Sequence, residues 1–392
     1  MLTSLAVLLL VADPVPNVPL NPQAQTGPAG QVTHAGDTTA AAQPLRIRVL
    51  EKERAVEAEI AGDSISCDNK KLPNKTILVR ANDRRLKAGD QACEQLNVLG
   101  AEIKVTLKED LNGPRDQVLT RTYPTRLLVA NEQELLKLVN FVEVEDYLSS
   151  VVESEASPAA PAMLEAQSVV SRTFALASRG RHGSSGYDLC DLAHCQVYRG
   201  KAKDPASKAA VAKTKGQVLL VGGVVLKPAF FHSSCGGATS RALDVFGDEG
   251  AGAAINDTGK EGPLCKGAPD FAWSWEIDRS ELARGLNARP DGAAVEVLRR
   301  DSSGRIVQLK SFGVRYSGNE LLAKLGATFG YDTVRSMKMT VEESEGVVHF
   351  KGTGLGHGSG LCQEGAKAIA TKGGTAQQIL QRYFPDCQVR AW

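Results

Sequence analysis

Residues 158–180 read PAAPAMLEAQSVVSRTFALASRG. Helix formers fill the stretch, and Leu164, Val169, Phe174 and Leu176 are its larger apolar side chains. The pattern predicts a helix, with Arg179 in its last turn and Gly180 as its stop. The region before it has another period. RIRVLE, AVEAEIAG, KTILVRA, AEIKVTL and RLLVAN alternate or run apolar over short spans, separated by Gly, Asn and Asp turns, which is the signature of strands. Strands first and helices later give an α+β fold, with a strand-rich N-terminal region over 46–141 and a mixed α/β core over 142–392 that closes around a substrate cleft. Downstream, Pro205 to Lys215 reads as a helix capped by Asp204. QVLLVGGVVL reads as two strands joined by a Gly-Gly turn. Residues 247–267 lack periodicity, 273–350 mix strands with a short helix near Leu321–Leu325, and helices are expected from Gln363 and over Ala376 to Tyr383.

The 392 residues are 42% hydrophobic and 23% charged, a balance that excludes a disordered or collagen-like chain. Forty-six Lys and Arg against 45 Asp and Glu leave a formal charge of +1, and aromatics are 5%. Neither the charge nor the ring content suits a nucleic-acid partner. Residues 1–12 (MLTSLAVLLLVA) are a candidate signal segment, too short to span a bilayer and lacking a positive start, since the first basic residue is Arg46. Residues 13–45, rich in Pro, Ala, Gly, Thr and Gln, read as a flexible linker. Secretion, or export to the periplasm with attachment to a cell wall, fits both segments, and no other stretch is a transmembrane candidate.

Four clusters carry potential chemistry. Glu153 and Glu155 precede the Ala-rich helix, and Glu155 is placed just ahead of its N-terminus. There it is either a general acid raised by an apolar cleft or a carboxylate favoured by the helix dipole. His182, Cys190, His194 and Cys195 offer the donor types zinc prefers. A Cys190–Cys195 disulfide is the other reading, and spacing does not choose between them. In FFHSSCGGATS, residues 230–240, His232 and Cys235 resemble a thiol–imidazole pair, against which stands a structural use of Cys235. In GLGHGSGLCQEGA, residues 354–366, His357 stands among glycines that let backbone approach a ligand, or that simply form a tight loop.

VEDYLSSVVESE, AQSVVSRTFAL, YDLCDLAHCQVYRG, FFHSSCGGATS and GHGSGLCQEGAKAIA, in this order, resemble the SpoIID/LytB family of bacterial stage II sporulation protein D and its vegetative relatives. The resemblance runs from about Val142 to Tyr383. It implies a peptidoglycan lytic transglycosylase that cleaves the bond between N-acetylmuramic acid and N-acetylglucosamine. It puts the catalytic acid on Glu155, with Glu153 as a second carboxyl in reserve. It places a structural zinc on Cys190, His194 and Cys195, with His182 as a further ligand. From motif placement, Arg172, Thr173, His232 and His357 are expected to bind sugar or acetamido groups, Arg172 and Thr173 otherwise merely packing along the helix. The LytB side of the family implies a second function, a wall-binding protein that stimulates a partner amidase. The sequence departs from the family at Ala156-Ser157 in place of Met-Pro, at Glu165 in place of Lys, and at Cys362-Gln363-Glu364-Gly365 in place of Ser-Gln-Tyr-Gly. With Cys190 and Cys195 given to metal, six of the eight cysteines remain. Pairing by neighbourhood joins Cys67–Cys93, Cys235–Cys265 and Cys362–Cys387, one of about 15 arrangements.

Overall fold

A computed structural model describes residues 43–107, 118–247 and 250–392. The signal segment and nearly all of the 13–45 linker lie outside the described residues. The chain is α+β, and the described residues cluster into two compact units, one of residues 231–368 and one of residues 43–230 with 369–392. The boundary read at 141/142 falls inside the second of these, at the end of the strand Leu135–Val142.

That unit is built on a large, mostly antiparallel sheet. Its order runs Leu189–Cys190, Leu45–Val49, Leu135–Val142, Leu119–Glu132, Gln95–Leu107, Glu57–Ala61, Thr76–Asn82, Arg85–Ala88, Gln91–Cys93. Alternation drives it. In Thr76–Asn82 every second side chain is buried, so one face meets the core while the other meets water. β1 (Leu45–Val49) lies antiparallel to β2 (Leu135–Val142), with Leu45 opposite Val142. On its other edge β1 runs parallel to β3 (Leu189–Cys190), with Arg48 opposite Cys190. This pairing carries the chain of the Cys/His loop onto the edge of a sheet laid down some 140 residues earlier.

Two helices follow β2, where the sequence pattern suggested one. α1 spans Val144–Ala156 and buries Tyr147, Leu148, Val151 and Val152 on one stripe. It ends where Pro158 disfavours helical geometry in the residue before it. α2 spans Pro161–Ala177, with Pro161 in its first turn and Ser178 as its C-cap, and is buried nearly all round, which explains its small side chains. Arg179 lies past its end, and Gly180 takes φ +77°. α3 (Pro205–Lys213) is capped by Asp204, whose carboxylate accepts from the Ala206 and Ser207 N–H groups. Gln217–Val221 and Val225–Leu226 form the expected hairpin, with Gly222 and Gly223 at φ +59° and +79° in its turn. Cys387–Ala391 adds a third strand. The apolar face of this small sheet, Val218, Leu220 and Leu226, packs on Leu176, Ala177 and Trp392.

The unit of residues 231–368 holds two three-stranded sheets. One pairs Ala272–Asp278, Val347–Thr353 and Met339–Ser344, and the other pairs Glu296–Arg300, Ile306–Ser311 and Val314–Ser317. Between them Trp273, Leu282, Leu309, Leu321, Val348 and Phe350 form one core. The short helix expected near Leu321 runs over Gly318–Phe329, opened by a capping box of Ser317 and Glu320. Residues 247–267, read as aperiodic, contain a small hairpin of Thr258–Gly259 and Gly262–Pro263. A parallel pair, Phe231–His232 with Leu361–Cys362, sets His232 opposite Cys362.

Gly200 shows how closely the Cys/His loop returns to the large sheet. Its φ is +88°, and a Cβ there would collide with the Thr122 carbonyl oxygen. Gly200→Ala should therefore lower stability by more than about 1 kcal/mol. Urea titration checks this as a lower midpoint with an unchanged slope.

Candidate active site

Glu155 is not ahead of a helix but in the last turn of α1, near the negative end of the dipole. The dipole reading of this carboxyl therefore reverses: the helix end disfavours its charge. The side chain is half-buried, and burial pushes its pKa above the ordinary carboxylate value. Two effects oppose the rise. Oε1 accepts a 2.7 Å hydrogen bond from the Val197 N–H, and the Arg199 guanidinium attracts the ionised form.

Val197 is placed by the Cys/His loop, and that loop is laced to α1 along its length. The Tyr147 hydroxyl donates to Gln196 Oε1 at 3.2 Å, and the Arg199 N–H donates to Ser150 Oγ at 3.0 Å. Glu153 Oε2 accepts from the Lys203 and Asp204 N–H groups at 2.6 and 3.2 Å, so the reserve carboxyl is a clamp for this segment. The Tyr198 ring lies between Tyr147 and Tyr123, and its hydroxyl donates to Asn140 Oδ1 at 2.8 Å. Asp191 anchors the loop to the sheet by accepting the Leu50 N–H at 2.9 Å, and burial pushes its pKa up to about 7. Asp188 does the same through Arg46, at 2.8 Å.

The four expected metal ligands converge. One donor atom from each of His182, Cys190, His194 and Cys195 lies within 4.8 Å of the others. Cys195 Sγ is 3.4 Å from His182 Nε2 and 3.6 Å from His194 Nδ1, and Cys190 Sγ is 3.7 Å from that same Nδ1. A turn closed by the Cys195 N–H on the Leu192 carbonyl lets adjacent His194 and Cys195 aim at one point. Two sulfurs and two imidazole nitrogens at these separations fit a tetrahedral zinc ion.

The expected sugar-binding residues are placed differently. Arg172 is 1% exposed; its guanidinium pairs with Glu145 and donates to the Ser168, Val211 and Gln217 carbonyls. The Thr173 hydroxyl donates to the Val169 carbonyl and accepts the Leu219 N–H. Both side chains are spent joining α2 to its neighbours and do not reach solvent. In the other unit, His232 is buried, with Nδ1 3.0 Å from the Ser359 carbonyl oxygen. His357 is half-buried; Nε2 lies 2.8 Å from the Phe231 carbonyl oxygen, and Nδ1 accepts the Ser359 N–H at 3.1 Å. Burial lowers its pKa to about 4, so it is neutral. Glu165 pairs with Lys213 at 2.7 Å.

Residues 132–220, which span α1, α2 and the Cys/His loop, match the SpoIID family, described as stage II sporulation protein. This stretch resembles a SpoIID domain. Stage II sporulation protein D of Bacillus subtilis is 25% identical over 271 residues, covering 64% of this chain and 75% of that protein. The amidase enhancer of Bacillus subtilis is 26% identical over 279 residues, and the match covers 58% of this chain but 38% of the enhancer. An uncharacterized protein of Brachyspira hyodysenteriae is 27% identical over 348 residues, 87% of this chain and 88% of that protein. No helix among the described residues is long and apolar enough to cross a membrane.

Glu155→Gln tests the burial argument without an activity assay. A carboxyl whose folded pKa is raised adds stability that is full at low pH and lost as pH rises through the raised value. Glutamine cannot ionise. The stability of Glu155→Gln relative to wild type should therefore grow from acid to neutral pH, read as melting temperatures at each pH.

Proposed function

We propose that this chain acts on peptidoglycan glycan strands as a lytic transglycosylase, with Glu155 as both acid and base. The observation that carries the reading is the placement of one carboxyl, desolvated and oriented by the Val197 N–H, at the end of α1. A water-consuming glycosidase uses two carboxyl groups, one to protonate the leaving oxygen and one to activate water or attack. Here the nearby Glu153 is engaged by two backbone N–H groups. Transglycosylation needs only one carboxyl. Glu155 gives its proton to the glycosidic oxygen, and the C–O bond to muramoyl C1 breaks. The muramoyl C6 hydroxyl oxygen then bonds to C1, and its proton returns to Glu155. The products are a 1,6-anhydro-muramoyl end and a free 4-hydroxyl on N-acetylglucosamine, with no water consumed. A raised pKa keeps Glu155 protonated at the start of this cycle.

His182, Cys190, His194 and Cys195 would hold a zinc ion. Four protein ligands close its shell, so the ion would supply a cross-link rather than a reactive water. Through that cross-link the loop would keep Val197 against Glu155. A site on the outer side of the cell membrane accords with this substrate.

A second reading rests on the amidase enhancer relative: a wall-binding protein that stimulates a partner amidase without cutting glycan itself. Incubation with purified glycan strands separates the two. Anhydro-muramoyl products from wild type, reduced about 100-fold or more in Glu155→Gln, support the transglycosylase. Activity should fall as pH rises through the raised Glu155 pKa, because the acid must start protonated. Wall binding with no soluble product, unchanged in Glu155→Gln, supports the enhancer. Cys190→Ser should lose zinc and unfold or loosen the loop, measured as metal content and thermal midpoint.

A further inference from the structure

Residues 231–368 gather a second set of soft ligands that the reading of Glu155 does not use. The parallel pairing of Phe231–His232 with Leu361–Cys362 sets His232 beside Cys362, and the C-G-G turn at 235–237 brings Cys235 to the same point. One donor atom from each of His232, Cys235 and Cys362 lies within 4.8 Å of the others, and all three residues are buried. The hairpin of residues 258–263 packs on the turn, with the preceding Asp257 N–H donating to the Gly237 carbonyl, and delivers Cys265 Sγ to 3.6 Å from Cys235 Sγ. Sulfurs on a tetrahedral zinc ion with bonds of about 2.3 Å stand about 3.8 Å apart.

The surroundings fit a metal as well. His232 Nδ1 faces the Ser359 carbonyl at 3.0 Å, so Nδ1 carries the proton and Nε2 carries a lone pair. That Nε2 is buried and has no hydrogen-bond partner. An imidazole held by its far nitrogen on a carbonyl, with the near nitrogen open, is the usual presentation of a metal-ligating histidine. Backbone N–H groups point at the sulfurs: Gly237 at Cys235 (3.3 Å), and Cys235 and Gly365 at Cys362 (3.2 and 3.4 Å). Such donors favour thiolates. Beneath the turn lies Arg305, 2% exposed, which donates to the Cys235 and Ala238 carbonyls and to the Ser303 hydroxyl. Asp301 attracts this buried cation without an ion pair among the described residues, and further negative charge nearby would stabilise it. Three thiolates on a divalent ion leave a net charge of −1, which would balance it.

We infer that His232, Cys235, Cys265 and Cys362 hold a divalent metal of the zinc class as a structural site of this unit. The Cys235 sulfur now lies 3.2 Å from Asp257 Oδ2, the contact of a thiol with its proton. On binding, each thiol gives its proton to solvent and the metal takes its place. The cross-link ties residues 231–235 to 361–365 and to the 257–265 hairpin. The competing pairing, Cys235–Cys265 as a disulfide, leaves Cys362 and His232 without a role.

The test uses zinc alone and the full chain. The Cys190→Ser/Cys195→Ser double variant, loaded with zinc and dialysed, should keep about one ion per chain, and adding Cys362→Ser should remove it. Zinc retained after Cys362→Ser, or no zinc in the double variant, overturns the site, as does a Cys235–Cys265 disulfide in non-reducing peptide maps. If a serine variant does not fold, zinc-loaded wild type decides. Alkylation of Cys265 and Cys362 that appears only after zinc is stripped supports the site, and labelling that does not change overturns it.

Discussion

The hydrogen bond from the Val197 N–H to Glu155 Oε1, at 2.7 Å, ties the candidate acid to the Cys/His loop. One partner sits at the end of α1 and the other at the end of the Cys/His loop, 42 residues later. Everything around it serves to keep these two in register. Tyr147 with Gln196, Ser150 with Arg199 and Glu153 with Lys203 fasten the loop along the helix. Asp188 and Asp191 fasten the loop to β1. Arg172 anchors α2 to α1 through Glu145. Buried Tyr187, Leu189 and Tyr198 hold the loop by packing, and hydrogen bonds to charged or buried groups fix its register.

Opposing influences set the protonation of Glu155. Burial raises its pKa, while the Val197 N–H and Arg199 lower it, and the rise wins. The position at the end of α1 adds to the rise, since a carboxylate at a helix C-terminus meets partial negative charge. The same carboxyl ahead of a helix would be pulled the other way. The break between α1 and α2 is thus a matter of chemistry as well as of shape.

Cysteine use divides by unit. In one, Cys190 and Cys195 lie five residues apart and meet two histidines from the same loop. In the other, Cys235 and Cys362 meet His232, and Cys265, from a third segment, meets Cys235. Cys362 stands with Cys235, with its sulfur 3.2 Å from the Cys235 N–H, in place of the pairing with Cys387 that neighbourhood in the chain suggested. Cys387 opens a strand of the small sheet in the other unit. The eight described cysteines are all buried thiols.

The sequence by itself determined whatever depends on a few consecutive residues. Asp204-Pro205 announced a capped helix, Gly222-Gly223 a tight hairpin, and alternation the strands from Leu45 to Val142. That Cys190, His194 and Cys195 lie close together was legible because they share one short loop. Local signals of this kind act through capping, φ preference and side-chain period, all of which are set within about one turn. Only the tertiary structure decided the rest. It put Glu155 inside α1, turned Arg172 and Thr173 into buried fasteners, and brought residues 232, 235 and 362 to one point with Cys265 beside Cys235. Those outcomes follow from strand register and from burying sheet faces. Pairings between residues more than 100 positions apart leave no mark on the residues between them.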